Sequence, residues 1–172
     1  MLKRISLLCV ILILAGLGAG RAEPSAPLPQ GARADKVIVT KTGRTLTLMS
    51  KGAVLKTYTV ALGGNPDGHK QQTGDSRTPE GDYLIDYRNP NSKYHLSLHI
   101  SYPNSQDRKS AKKRGVSPGG DIMIHGLPNG MGWVGKAHSL KDWTDGCIAL
   151  TNDEISEIWR TVPNGTPIEI KP

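Results

Sequence analysis

From Val37 onward the chain is built of short alternating or β-branched runs broken by turn residues. Val37-Ile38-Val39-Thr40, Thr45-Leu46-Thr47-Leu48-Met49 and the run from Val54 to Ala61 read as three strands. Lys41-Thr42-Gly43-Arg44 and Ser50-Lys51-Gly52 join them as tight hairpin connections. Further strands are predicted from Tyr83 to Tyr87, Tyr94 to Ser101, Asp121 to His125, Cys147 to Leu150 and Pro167 to Ile170. One helix has a clear start: Thr151 and Glu154 form a capping box ahead of Ile155, Ile158 and Trp159. Pro163-Asn164-Gly165 ends it and turns the chain into the last strand.

The N-terminus has a different pattern. Lys3 and Arg4 precede about 14 apolar residues and then small ones, as in a secretory signal peptide. Gly20-Arg21-Ala22 offers a cleavage point, so residues 1–22 are read as an export signal. Residues 23–34 begin with the Pro-rich stretch Glu23 to Gln30 and read as a flexible or extended tether. Residues 35–172 then form one mostly-β domain with few short helices.

Composition supports short strands over a helical bundle. The 172 residues include 20 Gly, 12 Pro and no Phe, so Val, Ile, Leu, Met and a few Trp and Tyr must build the core. The formal charge is +7; loss of Lys3, Arg4 and Arg21 leaves 19 basic against 15 acidic residues, or +4. That suits an anionic envelope polymer better than nucleic acid. Arg108, Lys109, Lys112, Lys113 and Arg114 are the dense basic run, read as a solvated loop, with docking on an anionic surface as the alternative.

Three motifs are weak. Gly130, Gly132 and Gly135 spell GxGxxG, but the polar stretch from His138 to Gly146 gives no amphipathic helix to follow it. His95 and His99 lie on an alternating strand, which separates their rings by roughly 13 Å, too far to share a metal ion. His69 falls in a polar loop and reads as solvated.

Signal cleavage removes Cys9 and leaves Cys147 as the single cysteine, so no internal disulfide forms. A lone thiol in an oxidising compartment is either buried or chemically used. All five histidines precede it, which argues against papain-like hydrolases. His125 ends an apolar strand before Gly126, where a scaffold presents an ionisable ring. From the residues alone, a nucleophilic Cys147–His125 pair and a purely structural role both remain open.

Ile124-His125-Gly126, then Gly135-Lys136, then Thr144-Asp145-Gly146-Cys147-Ile148 resembles the catalytic domain of the YkuD-type L,D-transpeptidases. Thr78-Pro79-Glu80-Gly81-Asp82-Tyr83 matches an upstream segment of the same family, and the stretch around Cys147 is most similar to its YafK-like branch. The resemblance implies a β-sandwich or barrel acting on peptidoglycan outside the inner membrane. Cys147 would be the nucleophile, His125 the general base, and the amides of Gly146 and Cys147, with Asp145, the oxyanion hole. His138, Thr144, Gly126 and Trp143 become substrate-binding or auxiliary candidates, with His138 as an alternative base. No metal or organic cofactor is implied. The implied partners are diaminopimelate-containing stem peptides and a wall-attached lipoprotein; no nucleic acid and no stable membrane anchor are expected, and the chain is expected to act as a monomer.

Two departures bear on the reaction. Thr144 keeps the hydroxyl of the family's usual Ser, but Ala149 stands where the family has Arg. The lost guanidinium opens a hydrolytic alternative, in which water cuts a cross-link or frees a wall-bound protein. A non-catalytic wall-binding module is the reading of another class, opposed by the presence of both Cys147 and His125. A sortase-like enzyme would need an Arg on a strand soon after the cysteine, whereas Arg160 lies in the predicted helix.

Overall fold

The computed structural model describes residues 26–172, so the expected export signal lies outside the described residues, as do the first residues of the tether. Three strands, β1 (Lys36–Thr40), β2 (Thr45–Ser50) and β3 (Ala53–Thr59), form the expected antiparallel meander. Its tight turns place Arg44, Lys51 and Gly52 in the left-handed region. β4 (Gly81–Ser92), β5 (His95–Ile100), β6 (Met123–His125), β7 (Ile148–Ala149) and β8 (Pro167–Lys171) complete one sheet of order β3-β2-β1-β8-β4-β5-β6-β7.

The sheet curls until its edges meet. Ala61, just beyond β3, exchanges both backbone hydrogen bonds with Ala149 of β7, at 3.0 and 2.8 Å, and Gly63 bridges Thr144. Alternating residues fill the interior: Val37, Val39, Leu46, Leu48, Leu98 and Ile124 are all fully buried. Each such side chain contributes about 1.5–3 kcal/mol relative to exposure. The mostly-β, curled architecture matches the sequence expectation.

α2 (Asn152–Thr161) starts where the capping box places it. Thr151 accepts the Glu154 N–H and the Glu154 carboxylate accepts the Thr151 N–H. Ile155 and Ile158 sink into the core, and the Arg88 guanidinium lies 4.2 Å from the Trp159 ring centre.

Three expectations change, and one stands in a different form. The basic run is the last part of a helix, α1 (Ser105–Arg114), not a loop. Asn104 and Asp107 form its capping box, Gly115 closes it at φ 69°, and Lys112, Lys113 and Arg114 sit favourably at the negative end of its dipole. Residues 132–140 form a 3-10 segment broken at Gly135, still without the helix a dinucleotide fingerprint needs. His69 is not left to solvent: its Nδ1 accepts the Glu80 N–H and its Nε2 lies 3.2 Å from the Asp107 carboxylate. Residues 26–34 lie against the body, with Leu28 packed on the core and its N–H held by Glu157.

Candidate active site

β6 and β7 run parallel, with Ile124 opposite Ile148 and His125 opposite Ala149. Ile124 and Ile148 point into the core, so strand alternation sends the side chains of His125 and the adjacent Cys147 to the other face. Both line one cleft of about 490 Å³ with Tyr94, Trp143, Thr144 and Asp145.

His125 is 4% exposed and closely held. Its Nδ1 lies 2.7 Å from the Gly126 carbonyl oxygen, which can only accept, so Nδ1 carries the proton. That leaves Nε2 as the basic nitrogen. The Tyr94 ring lies 4.5 Å from the imidazole, centre to centre, and Trp143 meets it edge-on at 5.8 Å. Burial holds His125 below its ordinary pKa, opposed by the Gly126 hydrogen bond and reinforced by His138. Burial pushes the Cys147 thiol up, opposed by the Met123 N–H that donates to Sγ at 3.4 Å. The Cys147 S–H points at the Asp121 carbonyl, 3.6 Å away. The resting pair is therefore a neutral thiol and a neutral imidazole.

The turn before Cys147 is built by Thr144. Its hydroxyl donates to the Cys147 carbonyl at 2.7 Å and accepts the Gly146 N–H at 3.1 Å. Of the amides expected to form an oxyanion hole, that of Gly146 is engaged, while the Asp145 and Cys147 amides have no partner among the described residues. Gly146 is needed for another reason. It sits at φ 125°, and a Cβ there would lie 2.5 Å from the Arg77 carbonyl oxygen. Arg77 belongs to the segment that the Thr78 motif anchors: Thr78, wholly buried, accepts the Gly63 N–H, and Lys41 donates to its carbonyl. Gly146→Ala should lower the melting temperature by several degrees and cut activity more than tenfold, checked by thermal denaturation beside a turnover assay.

Gly126 has the same kind of role, since a Cβ would crowd Asn152 and Ile155 at 2.8 and 3.0 Å. His138 does not join the cleft. It is buried in the wall of a second groove, with its pKa also held down by burial. His95 bonds Ser156, and His99 bonds Asp86.

Three contributors were not singled out from sequence. Tyr94 packs on the His125 ring, and its carbonyl accepts the Gly126 N–H. Asp142 fixes the approach to Trp143 by accepting the Leu62 N–H at 2.8 Å and pairing with Arg44 at 2.8 Å. Lys93 is the one lysine or arginine among the residues lining the cleft; Lys136, Lys141 and the basic run of α1 do not line it. Ala149 is completely buried, and the strand closure occupies its backbone.

A model of the YkuD L,D-transpeptidase catalytic domain matches residues 34–170. The chain belongs to this family. The YkuD-family domain is 31% identical over 128 residues to YafK of Escherichia coli K12, covering 71% of this chain and 44% of YafK. It is 32% identical over 142 residues to YkuD of Bacillus licheniformis, covering 80% and 66%. The chain thus spans less than half the length of YafK and about two thirds of YkuD. Among solved structures, the helical cell shape determining protein Pgp2 of Campylobacter jejuni aligns with TM-score 0.59 at 25% identity, over 81% of this chain and 48% of that one. The L,D-transpeptidase of Xylanimonas cellulosilytica shares the fold at 16% identity, TM-score 0.53, over 84% and 64% of the two chains.

Proposed function

We propose that this YkuD-family domain is a cysteine-dependent L,D-transpeptidase acting on peptidoglycan stem peptides in the cell envelope. The observation that carries the proposal is the shared cleft of Cys147 and His125, with a ring tautomer that leaves Nε2 basic. As substrate enters, Nε2 takes the thiol proton while Sγ adds to the carbonyl of the third stem residue. The Asp145 and Cys147 amides receive the oxyanion. Collapse breaks the amide C–N bond, and the imidazolium returns its proton to the departing D-Ala amine. The remaining thioester passes to an acceptor amine, and the thiolate recovers a proton.

Lys93 supplies the cation for a substrate carboxylate in the cleft. Lys93→Ala should raise KM about five- to twentyfold with little change in kcat, read from steady-state kinetics on a tetrapeptide muropeptide.

Ala149 favours water as a second acceptor. It provides no donor for positioning an amine, and its complete burial leaves no opening for a longer side chain. The deciding experiment incubates the protein with purified sacculi and muropeptides and resolves the products by chromatography and mass spectrometry. Cross-linked or amine-exchanged species establish transfer. Mainly hydrolysed stems, or release of a wall-attached lipoprotein, establish hydrolysis by the same thioester. Unchanged substrate, with a Cys147 that forms no acyl adduct, would remove the enzyme proposal and leave a wall-binding module.

A further inference from the structure

A second groove, of about 1120 Å³, lies between β3, α2 and the 132–140 segment. Neither Cys147 nor His125 lines it. The register of β3 determines what one wall offers. Val60 N–H donates to Arg44, and the pairing continues through Tyr58 with Leu46 and Lys56 with Leu48. In an antiparallel pair the residues between these turn their N–H and C=O groups outward, so Thr57, Thr59 and Ala61 face away from β2. Ala61 uses its outward groups on Ala149. There the neighbouring strand stops, because Thr151 caps α2 and draws the chain out of the sheet. Thr59 and Thr57 are left exposed in the groove, with no outward backbone partner among the described residues.

The other walls add unused polar groups. His138 is more than nine-tenths buried, and its Nδ1 has no hydrogen-bond partner. Lys136 and Asp153 stand on the 132–140 segment and on α2, and neither side chain makes an ion pair with a described residue. Pro27 bounds the groove where Lys56 holds the Ala26 carbonyl.

We propose that this groove binds an extended polypeptide segment of a partner protein. The segment adds as a strand along Thr57 and Thr59, continuing the line of β7, and presents an acidic side chain to Lys136 and a basic one to Asp153. An ordinary L-peptide repeats its N–H and C=O groups at the spacing this edge requires. A stem peptide, with D centres and a side-chain amide linkage, lacks that repeat. The site therefore recruits a protein and is separate from the Cys147 chemistry.

The test uses the full chain and a library of acetylated, amidated octapeptides with one acidic and one basic fixed position and alternating threonine and valine elsewhere. Amide exchange is followed by NMR. Members of the library should slow exchange of the Thr57 and Thr59 amides at least tenfold, with Tyr58 already protected in the free protein. Methylating the peptide nitrogens that face β3 should abolish binding, whereas methylating the alternate ones should not. Thr57→Pro should weaken binding at least tenfold while turnover of a tetrapeptide muropeptide stays unchanged, since Thr57 N–H makes no bond to β2. Lys136→Glu should shift the preferred peptide toward a second basic residue. Failure of every library member to protect these amides, equal binding of both methylated series, or protection by a stem peptide in place of the library would overturn the proposal. None of these outcomes touches the assignment of Cys147.

Discussion

Cys147→Ser will abolish turnover, by roughly 10⁴-fold or more, without loss of folding. The hydroxyl can keep the Met123 N–H as its donor, and the site is too small a change to disturb the β6–β7 pair. Chemistry is what fails. A serine hydroxyl lies far above the ~8.5 of a free thiol, and a neutral imidazole does not remove its proton at a useful rate. Intact-mass analysis after incubation with a carbapenem should show one adduct on the wild-type protein and none on the variant. Wild-type turnover in Cys147→Ser would end the nucleophile assignment.

His125→Ala will lower the acylation rate by about 10²–10⁴-fold, the usual worth of a positioned general base. His138→Ala will leave it within a few-fold, because His138 faces another groove. The pH profile provides a separate check. The reactive form needs neutral His125, whose burial favours the uncharged ring. Its pKa therefore falls below the ordinary value of about 6.5, and the acid limb of kcat/KM should have its midpoint below that pH. On the alkaline side the raised thiol pKa keeps the pair neutral through pH 8. An acid limb centred above 6.5, or a loss of activity in His138→Ala instead, would transfer the base role.

That Cys147 and His125 belong together was legible only through the resemblance of their motifs, since the residues alone left a structural role open for both. The meander and α2 were legible from the residues themselves: turn residues and a Thr151–Glu154 box act over a few residues. α1 escaped because it buries little more than Asp107 and Ala111, so no helical period of apolar residues marks it. Tyr94 and Asp142 escaped for a different reason. Their roles come from contacts with His125 and with Leu62 and Arg44, which only the closed sheet creates. The Thr144 hydroxyl matches that of the family's usual Ser, yet its capture of the Gly146 amide depends on turn geometry that sequence does not specify.

The bond between Ala61 and Ala149 has a consequence for how the molecule comes into being. It joins the end of the β1–β3 meander to the strand that follows the thiol, two parts of the chain far apart in sequence. Pairings between distant parts of a chain form slowly, after the entropic cost of a large loop has been met. This closure is therefore expected among the later pairings of the sheet, whereas the β6–β7 pair that sets Cys147 beside His125 closes a shorter loop. Loosening the Ala61–Ala149 contact would free one side of β7 while leaving its pairing with β6, and so the shared cleft, in place.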